Sequence, residues 1–235
     1  MKVVAIHGAI HKGSTYEISR QFIKELGVAS SDVEEYFLPK DMSSFCTGCG
    51  NCFMISEDLC PHKLQLKPII NAMDLADLLI FTSPVYVLHT SGQMKTFLDH
   101  FGYRFIIHRP NPLMFQKTAL IISTAAGSGM KSTNKDIKDS LTFWGVGRIF
   151  TYGKAVYAIK WEGVSEKTRN KISEDVKTIS TKILKRVHKT TPSIKVRFLF
   201  YSMRFVNKHF AFNKTDQDYW ISKGWLKKAR PWKKS

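Results

Sequence analysis

The sequence predicts a doubly wound α/β fold, a five-stranded parallel sheet between two helical layers, followed by a basic aromatic C-terminal extension. Three observations carry this expectation. Short apolar runs rich in β-branched residues alternate with segments of helical period, the pattern of βα units joined by right-handed crossovers. The runs are apolar nearly throughout, as strands covered on both faces must be. The alternation stops after Pro192, where Phe, Tyr and Trp mix with Lys and Arg.

Lys2–His7 (KVVAIH) reads as the first buried strand, stopped by Gly8. A helix follows over Ser14–Leu26, with Ile18, Phe22, Ile23 and Leu26 on one face, Ser14 or Thr15 at its start and Gly27 at its end. Asp32–Leu38 is the second strand and leads through Pro39 into a cysteine-bearing loop. Helices are expected over Leu66–Ala76, Ser91–Phe101, Lys131–Trp144 and Ser165–Val187. They interleave with strands over Leu78–Thr82 and Thr118–Ser123, and with a last strand region split between Arg148–Tyr152 and Ala155–Ala158.

The 235 residues suffice for one sizeable core. An apolar fraction of 43% is ordinary for a globular chain and argues against general disorder. No apolar run approaches the ~20 residues that span a bilayer. The N-terminus reads as a strand rather than a signal peptide, so the expected location is cytoplasmic. The net charge of +17 is uneven: 13 Lys and Arg against 2 Asp and Glu fall between Arg186 and Ser235. Such a tail suits nucleic acid, an anionic membrane or an acidic redox partner, and equally a solvated surface.

Three loops would meet at one edge of such a sheet, outside the carboxyl ends of the strands, where doubly wound folds bind ligands. Gly8-Ala9-Ile10-His11-Lys12-Gly13-Ser14-Thr15 joins the first strand to a helix N-terminus. Free N–H groups there, the hydroxyls of Ser14 and Thr15, and the side chains of His11 and Lys12 suit a phosphate dianion. The glycine spacing matches neither the dinucleotide fingerprint nor a Walker loop. Thr82-Ser83-Pro84-Val85-Tyr86 follows the third strand, and Thr124-Ala125-Ala126-Gly127-Ser128-Gly129 the fourth. Each alone reads equally as a turn; together they converge.

These residues resemble the flavodoxin-like NAD(P)H-dependent FMN reductases. Gly8–Thr15 is similar to their phosphate loop, with Ala9 and His11 where Ser and Arg are usual. Ser83, Pro84, Val85 and Tyr86 resemble the T-P-V-Y segment that borders the flavin ring, and Thr124, Ala125 and Gly127 the third flavin loop. Lys95–His100 resembles the K-x-F-x-D-R helix, with His100 in place of Arg. The resemblance covers about residues 1–185. Asp218-Tyr219-Trp220 and Lys223-Gly224-Trp225 resemble a C-terminal segment of one branch. It implies FMN as cofactor, NAD(P)H as co-substrate, and a flavodoxin-like domain over 1–187 with an extension over 188–235.

Cys46, Cys49, Cys52 and Cys60 all lie in the loop 45–61, spaced x2, x2 and x7. Soft thiolates so grouped suit an iron–sulfur cluster or zinc, or remain free thiols. The motif resembles that of iron–sulfur flavoproteins, which implies a 4Fe-4S cluster beside FMN. His62 reads as a surface residue.

Arg104, His108 and Arg109 read either as a flavin mouth that binds a substrate carboxylate or nicotinamide phosphate, or as a solvated basic loop. Phe198, Phe200, Tyr201, Phe205, Phe210 and Phe212 suit nucleic-acid stacking or an anionic membrane surface, with docking on a neighbouring subunit or domain favoured.

The expected function is FMN-dependent, NAD(P)H-linked reduction of quinone, flavin or nitro-type acceptors by a homodimer or higher oligomer. Two alternatives stand beside it. One is an iron–sulfur flavoprotein fed by an acidic, ferredoxin-type partner. The other, outside enzymes, is a basic nucleic-acid or membrane binder on a flavodoxin-like scaffold.

Overall fold

The computed structural model describes residues 1–210 and 212–233. Five parallel strands lie in the order β2 (Val33–Phe37), β1 (Val3–His7), β3 (Leu78–Tyr86), β5 (Thr118–Ala125) and β6 (Arg148–Ala155). A two-residue strand β4 (His89–Thr90) turns back antiparallel on the end of β3. The chain winds from β1 outward to β2, then returns across β1 to β3, so the direction of winding reverses between β1 and β3. This is the doubly wound topology expected, and it opens a crevice at that reversal.

Alternation along each strand builds two cores. Val3 and Ala5, Leu78 and Ile80, and Leu120 and Ile122 face helices α1 (Ser14–Glu25) and α6 (Glu166–Leu184). Val4 and Ile6, Leu79 and Phe81, and Ala119 and Ile121 face α3 (Lys63–Leu75), α4 (Gly92–Asp99) and α5 (Met130–Phe143). The short helix α2 (Asn51–Met54) lies within the cysteine loop.

Two expectations change. The last strand is one piece rather than two: Gly153 stays in the ladder opposite Ser123. A Cβ there would come 2.7 Å from Met130 Cβ, so its bare backbone is what lets α5 pack against β6. The extension, expected without regular units, forms α7 (Ile194–His209) and α8 (Lys214–Ser222). Ser193 caps α7 and Asn213 caps α8. Val196, Phe200, Met203, Trp220 and Trp225 form a third core on Ile107 and Phe115. Residues 211, 234 and 235 of that extension lie outside the described residues. Among the described residues, no helix is long and apolar enough to cross a membrane.

Candidate functional site

The loop after β1 is bound tightly into the sheet edge. Gly8 N–H donates to Thr82 O at 2.7 Å, and Ser91 Oγ donates to Gly8 O at 2.6 Å. A Cβ on Gly8 would sit 2.8 Å from Ser91 Oγ and 2.9 Å from Thr82 O, so only glycine admits this approach. Ser91 also caps α4 through the N–H of Met94. One hydroxyl therefore ties the first loop to the start of α4.

Helix α1 starts at Ser14 from an extended Gly13, and no side chain caps it. Its first-turn N–H groups are left for another partner. Ser14 Oγ is buried and has no hydrogen-bond partner among the described residues. Thr15 Oγ1 lies 2.6 Å from Thr124 Oγ1, joining the first loop to the third. A buried hydroxyl without a partner beside an uncapped helix start fits an anion as the missing acceptor. Lys12 Nζ lies over the rings of Tyr16 and Phe37, 5.2 and 5.7 Å from their centroids. His11 is exposed at the rim. His11, Thr15 and Tyr16 line a small pocket with His7, Ala9, Gly13, Thr82 and Pro84.

The second and third loops reach the same edge. Pro84 and Val85 are half-buried and Tyr86 is exposed. Ser83 is fully buried: its hydroxyl accepts from Ser91 N–H at 2.9 Å and from Thr90 Oγ1 at 3.1 Å. It therefore holds the loop in shape rather than facing the crevice. Beyond Tyr86, Val87 and Leu88 take φ of 48° and 65°, a strained conformation for side chains of this kind. Thr124 is buried, Ala125 half-buried and Gly127 exposed.

His7, the last residue of β1, also belongs to the site. Nδ1 lies 3.0 Å from Thr82 Oγ1 and Nε2 3.1 Å from Glu35 Oε1, and the ring stacks on Phe37. Arg20 reaches the other Glu35 oxygen at 3.5 Å. The His7 hydrogen bond outweighs burial and, with the charges of His7, Arg20 and Lys12, holds the Glu35 carboxyl below its ordinary range. The signal available in the sequence was a histidine closing an apolar strand directly before Gly8.

Arg104 and Arg109 line a cleft other than the pocket at the start of α1. Arg104 and Arg109 are buried, and Arg104 lies 3.7 Å from Asp74. Arg109 pairs with Asp216 of α8 and donates to the carbonyls of Cys52 and Phe53. His108 Nδ1 lies 2.5 Å from the other Asp216 oxygen. Asn213 and Thr215 donate to Phe53 O and Met54 O at 2.9 and 3.0 Å. The end of α2 is thus capped by the extension. Tyr219 OH and Trp220 Nε1 anchor that extension on the carbonyls of Pro110 and His108. The solvated-loop reading fails for the two buried arginines; both line a cleft with Cys52 and Cys60, and Arg104 Nη1 and Arg109 Nε have no hydrogen-bond partner among the described residues.

The four cysteines are free thiols, Cys46 and Cys49 exposed, Cys52 and Cys60 half-buried. Burial pushes the Cys52 thiol up, and the neighbouring Cys60, Cys46 and Cys49 push it further. Among the described residues, no three Cys, His, Asp or Glu side chains converge into a group that could hold a metal ion. The donor chemistry therefore suits a soft metal while this arrangement does not close around one. Cys52 and Cys60 instead border a cleft of about 360 Å³ with Tyr103 and Tyr219. His62, expected at the surface, meets His100 at 2.9 Å. His100 is buried, which holds its pKa below the ordinary value. An arginine there would bring a permanent charge into this enclosed position.

Comparison with known proteins agrees with this geometry. The model of the family described as NADPH-dependent FMN reductase matches residues 1–160. An iron-sulfur flavoprotein of Archaeoglobus fulgidus is 32% identical over 108 residues, 44% of this chain and 48% of its own. The chain thus spans about half the length of that curated relative. Among solved structures, an azoreductase from Bacillus anthracis superposes with a TM-score of 0.58 at 16% identity, over 77% of this chain and 100% of its own. A flavone reductase does so with a TM-score of 0.58 at 16% identity, over 82% and 66%. At such identities the structural likeness speaks for the flavodoxin-like fold alone.

Proposed function

The chain belongs to the NADPH-dependent FMN reductase family, and from that premise we propose that it is an FMN-dependent oxidoreductase that passes electrons from NAD(P)H to a small acceptor of the quinone, flavin or nitro class. The observation that carries this reading is the uncapped start of α1 with the partnerless Ser14 hydroxyl, at the strand edge where three loops meet. When bound, FMN supplies the hydride and single-electron chemistry itself. The protein's task is to hold and shape. Ser14, Thr15 and the free N–H groups of α1 take the phosphate, with Lys12 as the nearest fixed cation. Pro84, Val85, Tyr86, Thr124, Ala125 and Gly127 line the approach of the ring, while Ser83 and Ser91 brace the loops behind them.

We place the protein in the cytoplasm, where nicotinamide donors are supplied, and as a homodimer or higher oligomer. Ile10, Val87, Leu88, Tyr157 and Ile159 support self-association: they are exposed apolar side chains on the loops after β1, β3 and β6, all on the cofactor edge. The test is to add NADPH to FMN-loaded protein without air. Bleaching of the flavin absorbance, restored by a quinone, is the expected result; a flavin that NADPH leaves oxidised contradicts the reading.

A second reading is favoured by the likeness to the A. fulgidus iron-sulfur flavoprotein and by the four thiols of one loop. On it, Cys46, Cys49, Cys52 and Cys60 would have to draw together from the open arrangement of this loop to hold a 4Fe-4S cluster, and an acidic ferredoxin-type protein would meet the basic surface. Iron and sulfide assays on protein isolated without air decide it: about four of each per chain support it, and neither above background removes it.

A further inference from the structure

We propose that the outer face of α7 is a docking surface for an anionic lipid membrane. The helix carries two apolar faces. Val196, Phe200, Met203 and Asn207, at spacings of four, three and four, are buried on the body of the protein. Ile194, Phe198, Tyr201 and Phe205 repeat the same spacings on the opposite side and stand 87%, 68%, 46% and 57% exposed. Phe210 and Phe212 continue beyond the helix end, both exposed, with their rings stacked at 5.7 Å. A helix that docks by one face needs one apolar stripe. Of the second stripe, Tyr201 meets Arg230 and Trp232 at its edge, while Ile194, Phe198 and Phe205 stay largely exposed, and a contiguous exposed patch of this kind marks an interaction site.

Charge identifies the occupant. Lys195, Arg197, Arg204 and Lys208 fall within residues 194–212, which hold no Asp or Glu. Arg204 is anchored on the carbonyls of Trp225, Leu226 and Lys227, and Arg197 lies over the ring of Trp232, so both charges are held in place without a carboxylate. Among the described residues, the carboxylate that Lys195 meets is a distant one, Asp139 at 3.9 Å. Asp216 and Asp218 are the acidic residues of the extension, and both are taken, by Arg109 with His108 and by Lys214. A second copy docked face to face would set these cations against their own equivalents. A nucleic acid would use the phenyl faces but find no ring in Ile194. An apolar row bordered by long cationic side chains is the pattern of a helix lying at a lipid interface: the row enters the acyl boundary and the cations stay among phosphates. The docked inner face would then stand the whole domain on the membrane.

Sedimentation of the full chain with vesicles tests this. Binding is expected to vesicles of phosphatidylcholine with about one-third phosphatidylglycerol, and not to phosphatidylcholine alone. Phe198→Ser with Phe205→Ser is expected to weaken that binding by at least about tenfold, with circular dichroism, FMN retention and oligomer size unchanged. Lys195→Glu with Lys208→Glu is expected to weaken it similarly, and supplies a readout should the first pair disturb folding. Retained FMN in each variant separates this result from a failure of the proposed reductase function. Absence of binding to the anionic vesicles overturns the proposal, as does undiminished binding by the Phe pair. So does a smaller oligomer in the Phe pair, which would mean a second copy, or preferred binding of a single-stranded oligonucleotide.

Discussion

Ser14 is the residue on which the cofactor reading turns. Its hydroxyl is buried without a partner among the described residues, a state that costs free energy until something accepts from it. A hydrogen bond to a charged phosphate contributes about 1.5–3 kcal/mol. Ser14→Ala is therefore expected to weaken FMN binding by about tenfold to a hundredfold, read by quenching of flavin fluorescence, without lowering thermal stability. Glu35 gives a prediction in pH. Its carboxyl titrates below the ordinary range in the folded chain because His7 bonds to it. The unfolded chain then binds the proton more readily, so the stabilisation is complete near neutral pH and is lost as pH falls through the folded value. The melting temperature of the native protein is expected to exceed that of Glu35→Gln near pH 7, and the gap to close as acid protonates the folded carboxyl. A gap that widens in acid would contradict the assignment.

At the scale of elements, the extension and the cysteine loop are one structural unit. Arg109 and Asp216 are both buried, and each also serves a second group: Arg109 the carbonyls of Cys52 and Phe53, Asp216 the ring of His108. Removing one partner of a buried pair costs up to about 3–5 kcal/mol, reduced here because Glu57, 3.6 Å from Arg109 Nε, still faces the guanidinium. Asp216→Ala is expected to destabilise by about 2–3 kcal/mol in chemical denaturation, and to speed the reaction of Cys52 and Cys60 with a thiol reagent several-fold, because the cap on α2 is loosened. Replacing the pair together, Arg109→Met with Asp216→Leu, is expected to recover part of the stability but not the slow thiol reaction. This unit was not legible from sequence. Arg109 and Asp216 are 107 positions apart, and no local period links a loop arginine to a helix aspartate. The sheet was legible because its signals are local: continuous apolar runs such as Thr118–Ser123, each closed by glycine or small polar residues. The helical state of 194–209 was hidden because two apolar stripes on opposite faces blur the single period by which an amphipathic helix is recognised.

The whole molecule explains why weak local motifs give one site. Gly8–Thr15 lacks the usual Ser and Arg, and Thr124–Gly129 is by itself only a turn of small residues. The order β2-β1-β3-β5-β6 brings both, with Ser83–Tyr86, to the carboxyl ends of neighbouring strands. Thr15 to Thr124 and Ser91 to Gly8 then lock the loops to one another. The sheet supplies the geometry, and the uncapped helix supplies the field for an anion. The most direct test of this account is an equilibrium titration of FMN into the apo-protein, followed by flavin fluorescence. The account predicts saturable binding of one FMN per chain, weakened by Ser14→Ala. A chain that is folded by circular dichroism yet leaves FMN unbound at micromolar concentrations would contradict it.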